Sequence, residues 1–152
     1  MDEAVIKRKL LYTCKQYVED RIMAATLAMN QAQESANEEG RSSAGDKYET
    51  GRAMMQIERE KAAEQVEEAL KLRYVLDRID ADAPHDVVSL GSLVITSTLN
   101  IFLAIGAGRV TVDGEDFLIV APVSPLGKAM LGLKMNEQFT FNKYANTITK
   151  IL

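Results

Sequence analysis

From Glu3 to Asn37 the chain has neither proline nor glycine, the two residues that most readily end a helix. A stretch so free of breakers is permissive for one long helix, and its apolar residues carry helical spacing. Leu11, Val18, Ala25 and Ala32 stand seven apart, with Ile22, Met29 and Ala36 as a companion series. That alternation of threes and fours is the seam of a coiled coil. The stretch from Tyr48 to Asp80 has a similar series in Met55, Ala62, Val66, Ala69 and Leu76. Two helices of roughly 33–35 residues, rising ~1.5 Å per residue, would each span on the order of 50 Å. Alanine dominates the seams towards residue 40, so two helices can approach closely there. The apolar faces widen at the far ends, through Ile6, Leu10, Leu11 and Tyr17 in one and Leu70, Leu72, Leu76 and Ile79 in the other. A heptad seam does not name its partner, and both an intramolecular antiparallel hairpin and a dimerisation coiled coil satisfy it.

Between the two stretches lies Arg41-Ser-Ser-Ala-Gly-Asp-Lys-Tyr-Glu-Thr-Gly-Arg52, small, polar and punctuated by glycine. In a hairpin it is the tip, near residues 40–48, and a natural working end. Asp46 followed three residues later by Glu49 is close to a capping box, and the helix macrodipole favours both carboxylates. The same pair can be offered to a cation, because Mg²⁺ takes oxygen ligands and shares a site between two macromolecules. The spacing is compatible with both roles.

Composition changes after residue 86. Up to that point there are 13 basic and 18 acidic residues, and beyond it 5 and 4, with Ala83-Pro84-His85 at the boundary. The expected domains are therefore a helical one over 1–83 and a second over 84–152. In the second, Val87–Thr96, Asn100–Ile105, Arg109–Val112 and Glu115–Val120 have strand character. Asp113-Gly114 is a hairpin turn signal, since both positions require positive φ. Ser124 caps a short helix with Pro125 at its first position and Gly132 after its end. Gln138–Phe141 and Ala145–Ile151 are two last strands around Asn142. The expected fold class is α+β, a mostly antiparallel sheet of five or six strands with one short helix, preceded by the long helices.

Several chemistries are disfavoured. A net charge of −4 argues against a DNA binder working through excess positive charge. One histidine, His85, and one cysteine, Cys14, cannot build a Cys/His metal site or an internal disulfide. A lone thiol fits a reducing, cytoplasmic compartment. No nucleophile elbow accompanies His85. No apolar run approaches the ~20 residues of a membrane span, so no membrane partner is expected.

Ser124-Pro-Leu-Gly-Lys-Ala-Met-Leu-Gly-Leu-Lys134 resembles the Ser-Pro-Leu-x-x-Ala-Leu-Ile-Gly-Lys-Lys segment of Gre-type transcription elongation factors, and Val87-Val-Ser-Leu-Gly-Ser-Leu-Val94 resembles that family's opening strand. The family architecture, an N-terminal coiled-coil hairpin followed by an FKBP-like domain, matches the layout above along the whole chain. The family's tip reads Gly-Asp-Leu-Ser-Glu-Asn-x-Glu-Tyr. Here Gly45, Asp46 and Glu49 keep their places, while Thr50, Arg52 and Ala53 stand where Asn, Glu and Tyr are usual.

The resemblance implies a monomeric accessory factor, not an enzyme by itself. Its globular domain would dock on RNA polymerase through the segment around Ser124, Pro125 and Leu126. Its hairpin would enter the secondary channel and bring Asp46 and Glu49 beside the active site. There the pair would hold an Mg²⁺ shared with the polymerase, none being bound alone, for hydrolysis of backtracked nascent RNA at its 3′ end. Arg41, Lys47 and Arg52 would place positive charge beside that pair, to grip RNA phosphate or to weaken metal recruitment. Two functions follow, a transcript cleavage factor and a secondary-channel regulator that binds without promoting cleavage. A prolyl isomerase is the enzymatic alternative, weakened by the scarcity of aromatic residues for a pocket.

Overall fold

The computed structural model describes residues 2–41 and 46–152, with side chains described outside residues 39–49. The elements are α1 (Glu3–Arg41), α2 (Asp46–Asp77), β1 (Leu93–Thr96), β2 (Asn100–Leu103), β3 (Gly108–Val112), β4 (Glu115–Val120), α3 (Pro125–Met130), β5 (Gln138–Phe141) and β6 (Tyr144–Ile151). The fold class is α+β, two long helices followed by a six-stranded, mostly antiparallel sheet and a short helix. The chain divides into two compact units, Tyr17–Arg73 and a discontinuous one of Met1–Gln16 with Tyr74–Leu152.

In the unit Tyr17–Arg73, the seam positions Val18, Ala25, Ala32 and Ala36 of α1 and Ala62 and Ala69 of α2 are buried. Ile22, Met29, Met55 and Val66 are half-buried. An alanine has little surface to bury, so its burial here adds little hydrophobic gain. The two helices are tied by Arg73, whose Nε and Nη2 donate to Glu19 Oε1 and Oε2 at 2.8 and 2.9 Å. The pair is bidentate but half-exposed, which limits it to about 1 kcal/mol or less. Tyr17 and Leu70, expected in the widened apolar faces, are 37% and 44% exposed. The phenol of Tyr17 instead lies under the guanidinium of Arg21, 5.7 Å from ring centroid to charge.

In the other unit the strands run in the order β3-β4-β2-β1-β6-β5. All neighbours are antiparallel except β2 and β4, which pair parallel through Ile101–Leu118, Phe102–Ile119 and Leu103–Val120. Alternation along the strands makes two apolar faces. Val94, Ile101, Leu103 and Ile148 form one core with Leu126 and Met130 of α3. Phe102 and Ile119 point the other way. On that face Ile6 of α1 shares a small cavity with Leu93, Ile95 and Phe117.

The hairpin turn at Asp113-Gly114 has φ of 51° and 80° as its residue types demand. Asn142 and Lys143 make the same kind of turn at 51° and 70°. The strand expected from Val87 begins later, at Leu93. Ser89 and Ser92 close a tight turn instead, Ser89 N–H donating to Ser92 Oγ and Ser92 N–H to Ser89 O, both at 3.0 Å. Val87 keeps one isolated bridge to Lys134. The second strand likewise ends at Leu103, short of Ile105.

Candidate functional site

The expected working end falls largely on residues whose side chains lie outside the described ones. Arg41 closes α1, and Asp46, Lys47 and Glu49 lie at the start of α2. Gly45 lies outside the described residues. Arg52 is exposed and engaged in an interaction of its own. Among the described residues no three His, Cys, Asp or Glu side chains converge as a metal site.

The Ser124-Pro125-Leu126 segment has a local structural logic. Ser124 sits at φ −68°, ψ 160° and caps α3, its Oγ accepting from Gly127 N–H at 3.1 Å and donating to Ala121 O at 2.7 Å. Pro125 takes the first helical position, where its missing N–H costs nothing. Leu126 is 4% exposed and belongs to the core beside Met130. What this segment leaves exposed is therefore Pro125 and its neighbour Val123, which is 76% exposed. Leu131 and Met135 add exposed apolar surface after α3. Ser124→Ala removes the cap and is expected to cost about 1 kcal/mol in chemical denaturation with an unchanged m-value. A loss under about 0.3 kcal/mol would show that the hydroxyl does not cap the helix in solution.

A second cluster holds Lys7, Arg8 and His85, three groups with shifted pKa values. Lys7 on α1 is 2% exposed, and its Nζ donates to Ala83 O at 3.0 Å. Burial lowers its pKa, while the Asp80 and Asp82 carboxylates act to raise it. Arg8, one residue on, gives its Nε to Asp82 Oδ1 at 2.6 Å. Half-buried His85 has Nδ1 2.8 Å from Ser89 Oγ. Burial, and then the charge of Lys7, lower its pKa, so the ring is neutral near pH 7. In sequence Lys7 is one more charge on a helix rich in both signs, and nothing local marks it as buried. Its partner stands 76 residues away.

No family model matches the chain, and no curated protein matches it. Among the described residues no helix is long and apolar enough to cross a membrane.

Proposed function

We propose that this chain is a Gre-like transcription elongation factor, cytoplasmic and monomeric, that stimulates RNA polymerase to cleave backtracked nascent RNA. In this proposal α1 and α2 form an antiparallel coiled-coil hairpin and the sheet unit is FKBP-like. The observation that carries it is the start of α2 at Asp46, directly after the short segment separating two long helices. A hairpin built on that geometry has Asp46 and Glu49 at its far end. The alanine seam and the Glu19–Arg73 pair support close packing of the helices. The Ser124-capped helix supports the second half of the resemblance.

Two carboxylates are too few for an octahedral oxygen site, and they fit Mg²⁺ only as donors added to another protein's ligands. Asp46 and Glu49 would supply that share. The ion they would help to hold would supply Lewis acidity towards a water at the phosphodiester. The chain's own part is to reach, to position the two carboxylates, and to hold the polymerase through the surface around Pro125 and Val123.

The test is cleavage of RNA in a stalled, backtracked complex. Wild type is expected to stimulate it, and Asp46→Ala and Glu49→Ala each to lose about tenfold or more, since even groups behind a metal ligand cost 10–100-fold when removed. Polymerase binding stays unchanged in both variants. Binding without stimulation by the wild type selects the second function, a secondary-channel regulator, which the positive charge at Arg52 favours. Absence of polymerase binding overturns both.

A further inference from the structure

The sheet ends at β3, which pairs with β4 on one side and with no described strand on the other. Its register shows which backbone groups that open edge carries. The two-residue turn Asp113-Gly114 makes Val112 and Glu115 the closing hydrogen-bonded pair, and alternation makes Val110 and Phe117 the next. The N–H and C=O groups of Arg109 and of Thr111 therefore point away from β4. None of the four has a partner among the described residues. An edge left open in this way is a template for another strand.

The side chains choose the strand. Arg109, Thr111 and Asp116 lie on one face of the hairpin, with Thr111 opposite Asp116. Thr111 Oγ1 donates to Asp116 Oδ1 at 2.7 Å, which draws the carboxylate towards the open edge. Arg109 is exposed and forms no ion pair among the described residues. An antiparallel copy of β3, related by a two-fold axis through Val110, sets Arg109 opposite Thr111 of the second copy. Each guanidinium then reaches across that threonine to the carboxylate of Asp116 of the second copy, about 10 Å away between backbones at two strand spacings. The same register joins all the outward groups of Arg109 and Thr111. Moving the axis to Arg109 sets the two guanidiniums side by side. Moving it to Thr111 takes Arg109 opposite the turn, where no strand continues.

We propose that β3 pairs with β3 of a second copy of this chain, antiparallel about Val110, to make one sheet across the two. This contact uses neither the tip nor the segment around Pro125. A stable interface takes about 20–30 residues a side, and an edge of one short strand takes far fewer, so the dimer is transient. At micromolar concentration the chain stays the monomer proposed above.

The test is sedimentation of the full chain at rising concentration, with the Arg109 and Thr111 amides followed by NMR. The expected result is a mass approaching two chains and saturable shifts at both amides, with Kd of roughly 0.5 mM. Val110→Lys sets two ammonium groups against each other on the axis and is expected to leave a monomer throughout. Val110 is half-buried opposite Phe117, so a second variant acts at the exposed surface. Arg109→Asp is expected to weaken the dimer about tenfold or more, and adding Asp116→Arg, which swaps the charges, to bring it back within about threefold of wild type. A single-chain mass at every concentration overturns the proposal. So does a dimer that survives Val110→Lys, or one that Asp116→Arg fails to restore.

Discussion

Gly127→Ala lowers the stability of the sheet unit by about 3 kcal/mol or more. A Cβ at this position would stand 2.2 Å from Ala121 O and 2.8 Å from Pro122 O. Both obstacles are backbone, so no side chain can rotate away. The obstructing carbonyl is itself held in place, because Ala121 O accepts from Ser124 N–H at 3.1 Å and from Ser124 Oγ at 2.7 Å. Relief of the clash must break the cap or lift α3 from the core that Leu126 and Met130 complete. The expected fall in melting temperature is roughly 10 °C, at ~2–4 °C per kcal/mol for a chain of this size. Gly106→Ala is the matched control. It is exposed, with nothing within 4 Å of an added Cβ, and is expected to stay within about 0.5 kcal/mol of wild type. A Gly127→Ala protein that melts with the wild type would refute the packing described at α3.

Cys14 should be nearly inert towards a thiol reagent while the chain is folded. The residue is fully buried, and burial alone pushes its thiol up to about 12. With that value against ~8.5 in an unfolded chain, the thiolate fraction at pH 8 falls by about 10³. Labelling with an aromatic disulfide is therefore expected to be about 10³-fold slower than in denaturant. Folded-state labelling within tenfold of the denatured rate would show that Cys14 is accessible and the core beneath α1 open. The same shift has a consequence for stability. Because the folded pKa lies above the unfolded one, the contribution of the neutral thiol is whole below about 8.5 and is lost as pH rises towards about 12.

The elements that are legible in sequence are those whose cause is local. The absence of breakers foretells α1, and the seven-residue spacing names Val18, Ala25 and Ala32 as buried. Asp113-Gly114 and Ser124-Pro125 announce their turn and cap through the residue types that such backbones require. What escapes depends on distant partners. The β-branched run at Val87 invites a strand, but two serine hydroxyl and backbone bonds turn the chain before Leu93. The burial of Lys7 is set by a carbonyl contributed after α2. Leu126 shares its motif with exposed Pro125, yet a six-residue helix against a sheet must bury one side, and Leu126 is on it. At the candidate working end, Asp46 and Glu49 carry the same signal for capping a helix as for holding a cation.

The strand order also constrains the course of folding during synthesis. The unit Tyr17–Arg73 is continuous and can form as soon as its own residues have emerged. The other unit cannot, because residues 1–16 must wait for partners beginning at Tyr74. Within its sheet, β1 to β4 are made early, but β1 pairs on its second side with β6, over Tyr144–Ile151. Until those residues leave the ribosome, the nascent sheet has β1 as an open edge, with residues such as Val94, buried in the finished fold, along it. That interval is when a strand from another chain could add there, and it closes only when β6 takes its place between β1 and β5.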